Sequence, residues 1–108
     1  METWLLLVES SCTDPSREQD FNDWYNNIHI PDMLELSFVT GSTRYEIRDP
    51  GNEEGKYLAI YEINSDNFEE TVDQIANHLK KKAEQGRISG LLSVTRRIRA
   101  KKIFRKPK

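Results

Sequence analysis

The segment Asp20–Leu36 reads DFNDWYNNIHIPDMLEL, and it combines an apolar stripe at helical spacing with a histidine and a proline. The stripe consists of Phe21, Trp24, Tyr25 and Ile28. This spacing predicts an amphipathic helix that packs one face against a core. Proline lacks an amide hydrogen and clashes with the carbonyl four residues earlier. Pro31 therefore predicts a helix end near His29 and a short second helix that starts at the proline.

The predicted helix end gives His29 a distinctive position. There the ring would lie beside the partial negative charge of the helix dipole, which favours its protonated form. His29 also borders the apolar stripe, so its ring is expected at the edge of a pocket between helix and sheet. Asp32 follows closely enough to orient the ring or share its proton. The pair is predicted to be catalytic, and the alternative is a histidine that merely bonds a backbone carbonyl.

The segments on either side of this helix predict the topology. Strand-like patterns occupy residues 3–10, 38–48, 56–63 and 93–104, and a second amphipathic helix ends near Gly86. The turn-rich stretch at 49–55 predicts a loop. The order is βαββαβ, and right-handed crossovers then predict an α+β, ferredoxin-like fold. This fold has a four-stranded antiparallel sheet with both helices on one face.

One sheet face would remain uncovered in this fold. In the second strand, Arg44 and Glu46 share a mixed, charged side, opposite the side that carries Val39 and Tyr45. A charged face of this kind does not form a core by itself. A second copy of the sheet could cover it, which predicts a homodimer joined sheet to sheet.

Composition limits the class of protein. The 108 residues fit one domain, 1–108, and they are 36% hydrophobic and 31% charged, as in soluble globular chains. Cys12 is the single cysteine, so no internal disulfide can form. No apolar run is long enough for a membrane span or a signal segment. We therefore expect a cytoplasmic protein that does not bind membranes.

Charge is distributed unevenly along the chain. No acidic residue follows Glu84, and residues 96–108 contain eight basic residues. Such asymmetry can indicate a nucleic-acid partner or another anionic partner. A charged strand followed by a solvated basic tail from about residue 100 explains it more simply.

The sequence contains no recognisable metal or cofactor motif. Its two histidines, His29 and His78, lack the spacing of metal ligands, and His78 lies outside the apolar arc of the second helix, which predicts exposure. Phosphate-binding and dinucleotide-binding glycine patterns are absent from the sequence. We therefore expect neither a metal nor a cofactor.

Arginine and aromatic residues supply the remaining candidates. Arg44 either pairs with Glu46 or Glu62, which we favour, or holds an anionic oxygen of a substrate. The aromatic side chains are expected mainly in the core, but a phenol at a pocket edge could donate to an oxyanion. The predicted substrate-binding residues are Trp24, Tyr25, Arg44, Tyr45 and Tyr61.

Three pieces of the sequence carry a family resemblance. They are DFNDWYNNIHIPDML, TRYEI and KYLAIYEI. Together they resemble the dimeric α+β-barrel superfamily and are most similar to small EthD-like proteins. The resemblance implies a homodimer with facing sheets, a pocket beneath the first helix, and an acid–base role for His29. Leu36-Ser37 stands where a Pro-Gly pair often precedes the second strand, so the pocket rim is expected to differ.

The resemblance also implies an activity. Relatives include dehydratases, cyclases, isomerases and cofactor-free oxygenases that act on aromatic, polyketide-like or lactone substrates. The leading hypothesis is a small cofactor-free enzyme that performs acid–base chemistry on such a molecule. The alternative is a non-catalytic module that binds a small ligand. RNA binding is a third possibility because RNA-recognition motifs share the βαββαβ order, but Leu58 and Ile60 stand where stacking aromatics would be needed.

Overall fold

The computed structural model describes residues 1–49 and 56–108. Its strands are β1 (Glu2–Cys12), β2 (Val39–Glu46), β3 (Tyr57–Ser65) and β4 (Leu92–Lys101). Its helices are a 3₁₀ turn (Pro15–Arg17), α1 (Glu18–Trp24), a π-helical turn (Tyr25–His29), α2 (Ile30–Leu34) and α3 (Phe68–Glu84). The loop predicted at 49–55 lies outside the described residues, apart from Asp49.

The strands form one sheet in the order β2-β3-β1-β4, and each pair of neighbours is antiparallel. Each helical connection therefore crosses over one intervening strand, which is the ferredoxin-like topology. The predicted fold class is confirmed. The edge strands are β2 and β4.

The side chains of β1 and β3 alternate between the two sheet faces. Leu6, Val8 and Ser10 of β1 are buried, and they pair with the buried residues Tyr61, Ala59 and Tyr57 of β3. Leu5 and Leu7 point the other way and are less buried. The core therefore lies between the sheet and the helices, and we call the opposite side the open face.

The first helix does not end at His29, so that prediction was wrong. Residues from Glu18 to Leu34 stay helical through a π turn, in which the amide of Ile30 donates to the carbonyl of Tyr25. A π turn inserts one residue and shifts the hydrogen-bond pattern just before Pro31. This shift accommodates the proline without a break. His29 therefore lies inside a continuous helical unit, residues 18–34, and the dipole argument for a protonated ring does not apply.

A bulge in β2 reverses the predicted orientation of the residues that follow. Val39 pairs with Ile63, but Gly41 pairs with Glu62, so Thr40 is the extra residue. Beyond the bulge, Arg44 faces the helices and Tyr45 lies on the open face, where it is 54% exposed. This is the reverse of the predicted arrangement.

Helix α3 is attached to the sheet mainly at its beginning. Asn67 caps it by accepting from the amide of Glu70, and the Phe68 ring stacks on Trp4 at a centroid distance of 4.1 Å. Residues after Lys101 are exposed and have no regular secondary structure. None of the helices in the described ranges is long and apolar enough to cross a membrane.

Candidate ligand-binding cavity

A cavity of about 620 Å³ lies between the helical unit 18–34, α3 and the sheet. Its walls are lined mainly by apolar side chains from all three. Pockets for small organic molecules commonly have such a volume and lining. The sequence predicted a pocket beneath the first helix. The observed cavity is lined by Tyr25, His29 and Met33 of that helical unit, together with residues of α3 and the sheet.

His29 forms part of the cavity wall and is 7% exposed. Its ring stacks on Trp24 at 4.8 Å and meets the Tyr25 ring edge-on at 5.0 Å. Burial lowers the pKa of His29 to about 4, while the nearby charge of Asp32 opposes this and that of Arg44 adds to it. The ring is therefore neutral at neutral pH, and the prediction that the helix dipole favours its protonated form was wrong.

Asp32 pairs with Arg87 rather than with His29. Its carboxylate accepts two hydrogen bonds from Arg87, at 2.7 and 2.8 Å, and these hold the pKa of the carboxyl below its usual value. Among the contacts of the described residues, none joins this carboxylate to the His29 ring. The prediction that Asp32 orients His29 therefore lacks a supporting contact, and its charge acts on the ring only at a distance.

His78 is not exposed as predicted, since its side chain retains 15% of its accessible surface. Its Nε2 lies 2.6 Å from the backbone carbonyl oxygen of Asp32, and Nε2 must be the donor because a carbonyl only accepts. His78 therefore joins α3 to α2 in the structure.

Two tyrosines place phenol groups at the cavity. Tyr25 and Tyr61 both line it, and each is 1% exposed. Burial raises the pKa of both phenols, so each is a protonated hydrogen-bond donor at neutral pH. The Tyr61 hydroxyl lies close to the Tyr25 phenol, but no described residue gives it a hydrogen bond of good geometry. A buried hydroxyl without a partner costs about 1–3 kcal/mol, so it is a candidate to bind a ligand oxygen.

Arg44 lies behind Tyr25 and outside the cavity lining. Its guanidinium donates to Asn26 at 2.8 Å and Asn22 at 2.9 Å, and it stands 4.1 Å from the centroid of the Tyr25 ring. The predicted ion pair with Glu46 or Glu62 was wrong, because the bulge turns Arg44 toward the helix. Burial lowers its pKa, although the guanidinium stays charged.

The structure brings together three of the seven predicted site residues at the cavity, namely His29, Tyr25 and Tyr61. Trp24 supports the histidine from behind, and its indole donates to the carbonyl of Arg87 at 2.9 Å. Tyr45 is on the opposite sheet face.

The cavity lining also includes polar residues that sequence reasoning did not assign to the site, namely Lys80, Arg97 and Arg99. The arginines occupy alternate positions of a strand, which is a detectable signal, but the basic run had been interpreted as solvated. Within residues 1–49 and 56–108, no group of three or more histidine, cysteine, aspartate or glutamate side chains is placed to hold a metal ion.

Comparison with known proteins gives the family. Residues 6–97 match a domain of unknown function, DUF4286, and the chain belongs to this family. No curated protein matches the chain.

Two solved structures share the fold. HapK from Hahella chejuensis is 14% identical, with a TM-score of 0.65 over all of this chain and 98% of HapK. An ethyl tert-butyl ether (EthD) family protein from Bacillus halodurans C-125 is 16% identical, with a TM-score of 0.60 over 95% of this chain and all of that protein. At these identities the likeness shows the fold alone, and that fold is the EthD-like one which the sequence resembled.

Proposed function

We propose that the protein binds a small, largely apolar carbonyl compound in the cavity. His29 accepts a proton from the carbon atom next to the carbonyl group of this compound. The observation that carries this proposal is the pair of groups at the wall. His29, with a neutral imidazole, and Tyr61, whose protonated hydroxyl lacks a well-formed hydrogen bond, both line the same apolar cavity. The imidazole can accept a proton, and the hydroxyl can donate a hydrogen bond to an oxygen atom of the ligand.

The chemistry that this arrangement supports is proton transfer through an enolate. His29 takes the proton from carbon, and the bonding electron pair moves to the carbonyl oxygen. The Tyr61 hydroxyl donates to that oxygen as its negative charge develops. Return of the proton at another carbon gives an isomerisation. If the enolate carries a β-hydroxyl group, cleavage of its C–O bond with transfer of the proton from His29 to the departing oxygen releases water and gives a dehydration.

Arg44 supports this role of the phenols indirectly. Its charge lies against the ring of Tyr25 and favours the negative forms of both Tyr25 and Tyr61, although burial has the larger effect on their pKa. Asn22 and Asn26 hold the guanidinium in place. Because the Arg44 charge is already held in place near the phenols, it can stabilise the developing negative charge without any rearrangement of the protein during the reaction.

Exchange of the acidic protons of 2-tetralone in deuterium oxide, followed by NMR, tests the proposal with a bicyclic ketone. We expect the wild-type protein to accelerate exchange about 100-fold over buffer, as positioned bases do. His29→Asn should return the rate to that of buffer, and Tyr61→Phe should reduce it by about tenfold. Tyr45→Phe, on the open face, is the matched control and should exchange at the wild-type rate.

A second candidate function is ligand binding without catalysis. It is favoured by the packing of His29, whose ring contacts Trp24 and Tyr25 and is almost fully buried, as in a structural core residue. Saturation-transfer NMR would decide between the two. Binding of 2-tetralone with exchange no faster than in buffer would eliminate the catalytic proposal and retain this one.

We also propose that two copies associate through their open faces. The central strands place Leu5, Leu7, Leu58 and Ile60 on this face, without a helix to cover them. Burying such an apolar surface against a second copy would complete the core of a small chain.

A further inference from the structure

Two arginines of β4 project toward the helices. Arg97 pairs with Val8 and Arg99 with Leu6, and both of these β1 residues are buried on the helical side of the sheet. Neighbouring residues on paired strands share a face, so the two arginines lie on that side too. Both line the cavity.

Among the described residues that line the cavity, the charged side chains are all basic. In addition to the two arginines, α3 contributes Lys80, and the described lining contains no aspartate or glutamate. Arg97 has no ion pair or side-chain hydrogen bond to any described residue. Arg99 approaches Glu69 at 3.5 Å, but that carboxylate is 83% exposed and well hydrated. Both guanidinium groups can therefore bind a further anion.

Protection of a sheet edge would explain some of this charge. Strand β4 is an edge strand, and charged side chains on edges discourage pairing with other chains. Arg96 already serves that purpose on the open face of the same strand, where it pairs with Glu9 at 2.6 Å. Edge protection does not require two more arginines at the wall of an apolar cavity.

We propose that the ligand of this cavity is an acid, whose apolar body fills the interior while a carboxylate or similar anionic group binds Arg97 and Arg99. The inference rests on the proposed function in that both use the same cavity. Guanidinium groups bind carboxylates through paired, charge-assisted hydrogen bonds. The anionic group is held at β4, and the rest of the molecule extends toward Tyr61 and His29.

A pair of fluorescent probes isolates the contribution of the anion. They are 8-anilinonaphthalene-1-sulfonate and N-phenyl-1-naphthylamine, which differ only by the sulfonate. We expect Arg97→Gln to raise the dissociation constant of the sulfonate probe about fivefold, and the double variant Arg97→Gln/Arg99→Gln to raise it further. Binding of the neutral probe should change less than twofold in both. Arg96→Gln removes the same charge from the other side of the strand and should bind both probes as the wild type does.

The outcomes separate this inference from the proposed function. Equal responses of the two probes to Arg97→Gln, or no response at all, would overturn the anion site and leave the cavity as a site for neutral molecules. Ala76→Phe places a larger side chain in the cavity and should weaken the binding of both probes. If neither probe binds the wild type, or if Ala76→Phe weakens neither, cavity binding itself fails, and the inference fails with it.

Discussion

The His29 ring is packed between Trp24 and Tyr25, so protonating it in the folded protein would place a charge in a nearly dry site. Burial is the largest influence on its pKa, ahead of the opposing charge of Asp32 and the reinforcing charge of Arg44. The unfolded chain exposes the ring to water, where its pKa is 6.5. The same residue therefore couples the proposed chemistry to the stability of the fold.

This coupling predicts a loss of stability in mild acid. Between the unfolded pKa of 6.5 and the folded pKa of about 4, the unfolded chain binds a proton that the folded chain does not. Stability must therefore fall as the pH decreases through this range, by about 2 kcal/mol between about pH 7.5 and pH 5. Urea denaturation at the two pH values measures it.

The matched variant for this measurement is His29→Phe, which keeps a ring beside Trp24 but cannot bind a proton. We expect this variant to lose most of the difference in the free energy of unfolding between the two pH values. A wild-type protein that is equally stable at both would show that the ring is hydrated in the folded state.

At the scale of elements, the helical unit 18–34 and the end of α3 are joined by a cluster of polar contacts. Arg87, just beyond α3, donates two hydrogen bonds to the Asp32 carboxylate and accepts one from the Trp24 indole. His78 and Lys82 add contacts to Asp32 and Glu35. We call these residues the interhelical clamp. Because the cavity separates much of α3 from the sheet, the clamp stabilises the position of this helix.

The clamp makes Asp32→Asn a destabilising substitution. The Asp32 side chain is 5% exposed, so weakening its two charge-assisted hydrogen bonds should lower the free energy of unfolding by about 2 kcal/mol at neutral pH. Asp20→Asn is the matched control, because Asp20 pairs with Arg17 at the exposed surface, and its loss should cost about 0.5 kcal/mol or less. Urea denaturation compares them. Equal effects of the two substitutions would mean that the clamp does not hold the helices together.

The elements were predictable where periodicity alone decides them. The four strands and two helical regions were found, with ends that differ by a few residues. The π turn was missed because Pro31 normally ends a helix, and only the shifted carbonyl pattern, which depends on how residues 25–29 pack, accommodates it. The bulge at Thr40 was missed for a similar reason, since one extra residue leaves no mark in an alternating pattern yet reverses the side on which Arg44 and Tyr45 project.

At the scale of the whole molecule, the sheet has one covered and one open face. The open face combines apolar residues of the central strands with the Glu9–Arg96 ion pair. Its proposed partner is a second copy of the chain, which would present the same combination to it. An isologous contact of this kind closes on itself and does not lead to fibres.

This proposal predicts a particle with twice the 12.7 kDa mass of the chain in sedimentation equilibrium. Ile60 lies on the open face at the centre of the sheet, opposite Leu7 and Thr43. Ile60→Lys should therefore dissociate the particle, because it would bury an unpaired charge. Ile103→Lys adds the same charge at a side chain that is already 92% exposed, and it should leave the mass unchanged. A wild-type protein with the mass of one chain would disprove the association.

The sequence by itself determined the βαββαβ order, the covering of one sheet face by helices, the presence of Tyr25 and Tyr61 in the apolar interior, and the position of His29 at the border of the apolar stripe. These features follow from hydrophobic periodicity, which is local. Only the tertiary structure decided that the His29 ring is neutral, that Asp32 binds Arg87, and that Arg97, Arg99 and Lys80 line one cavity. Those relations depend on burial and on distances between segments far apart in the chain, and no pattern of neighbouring residues encodes them.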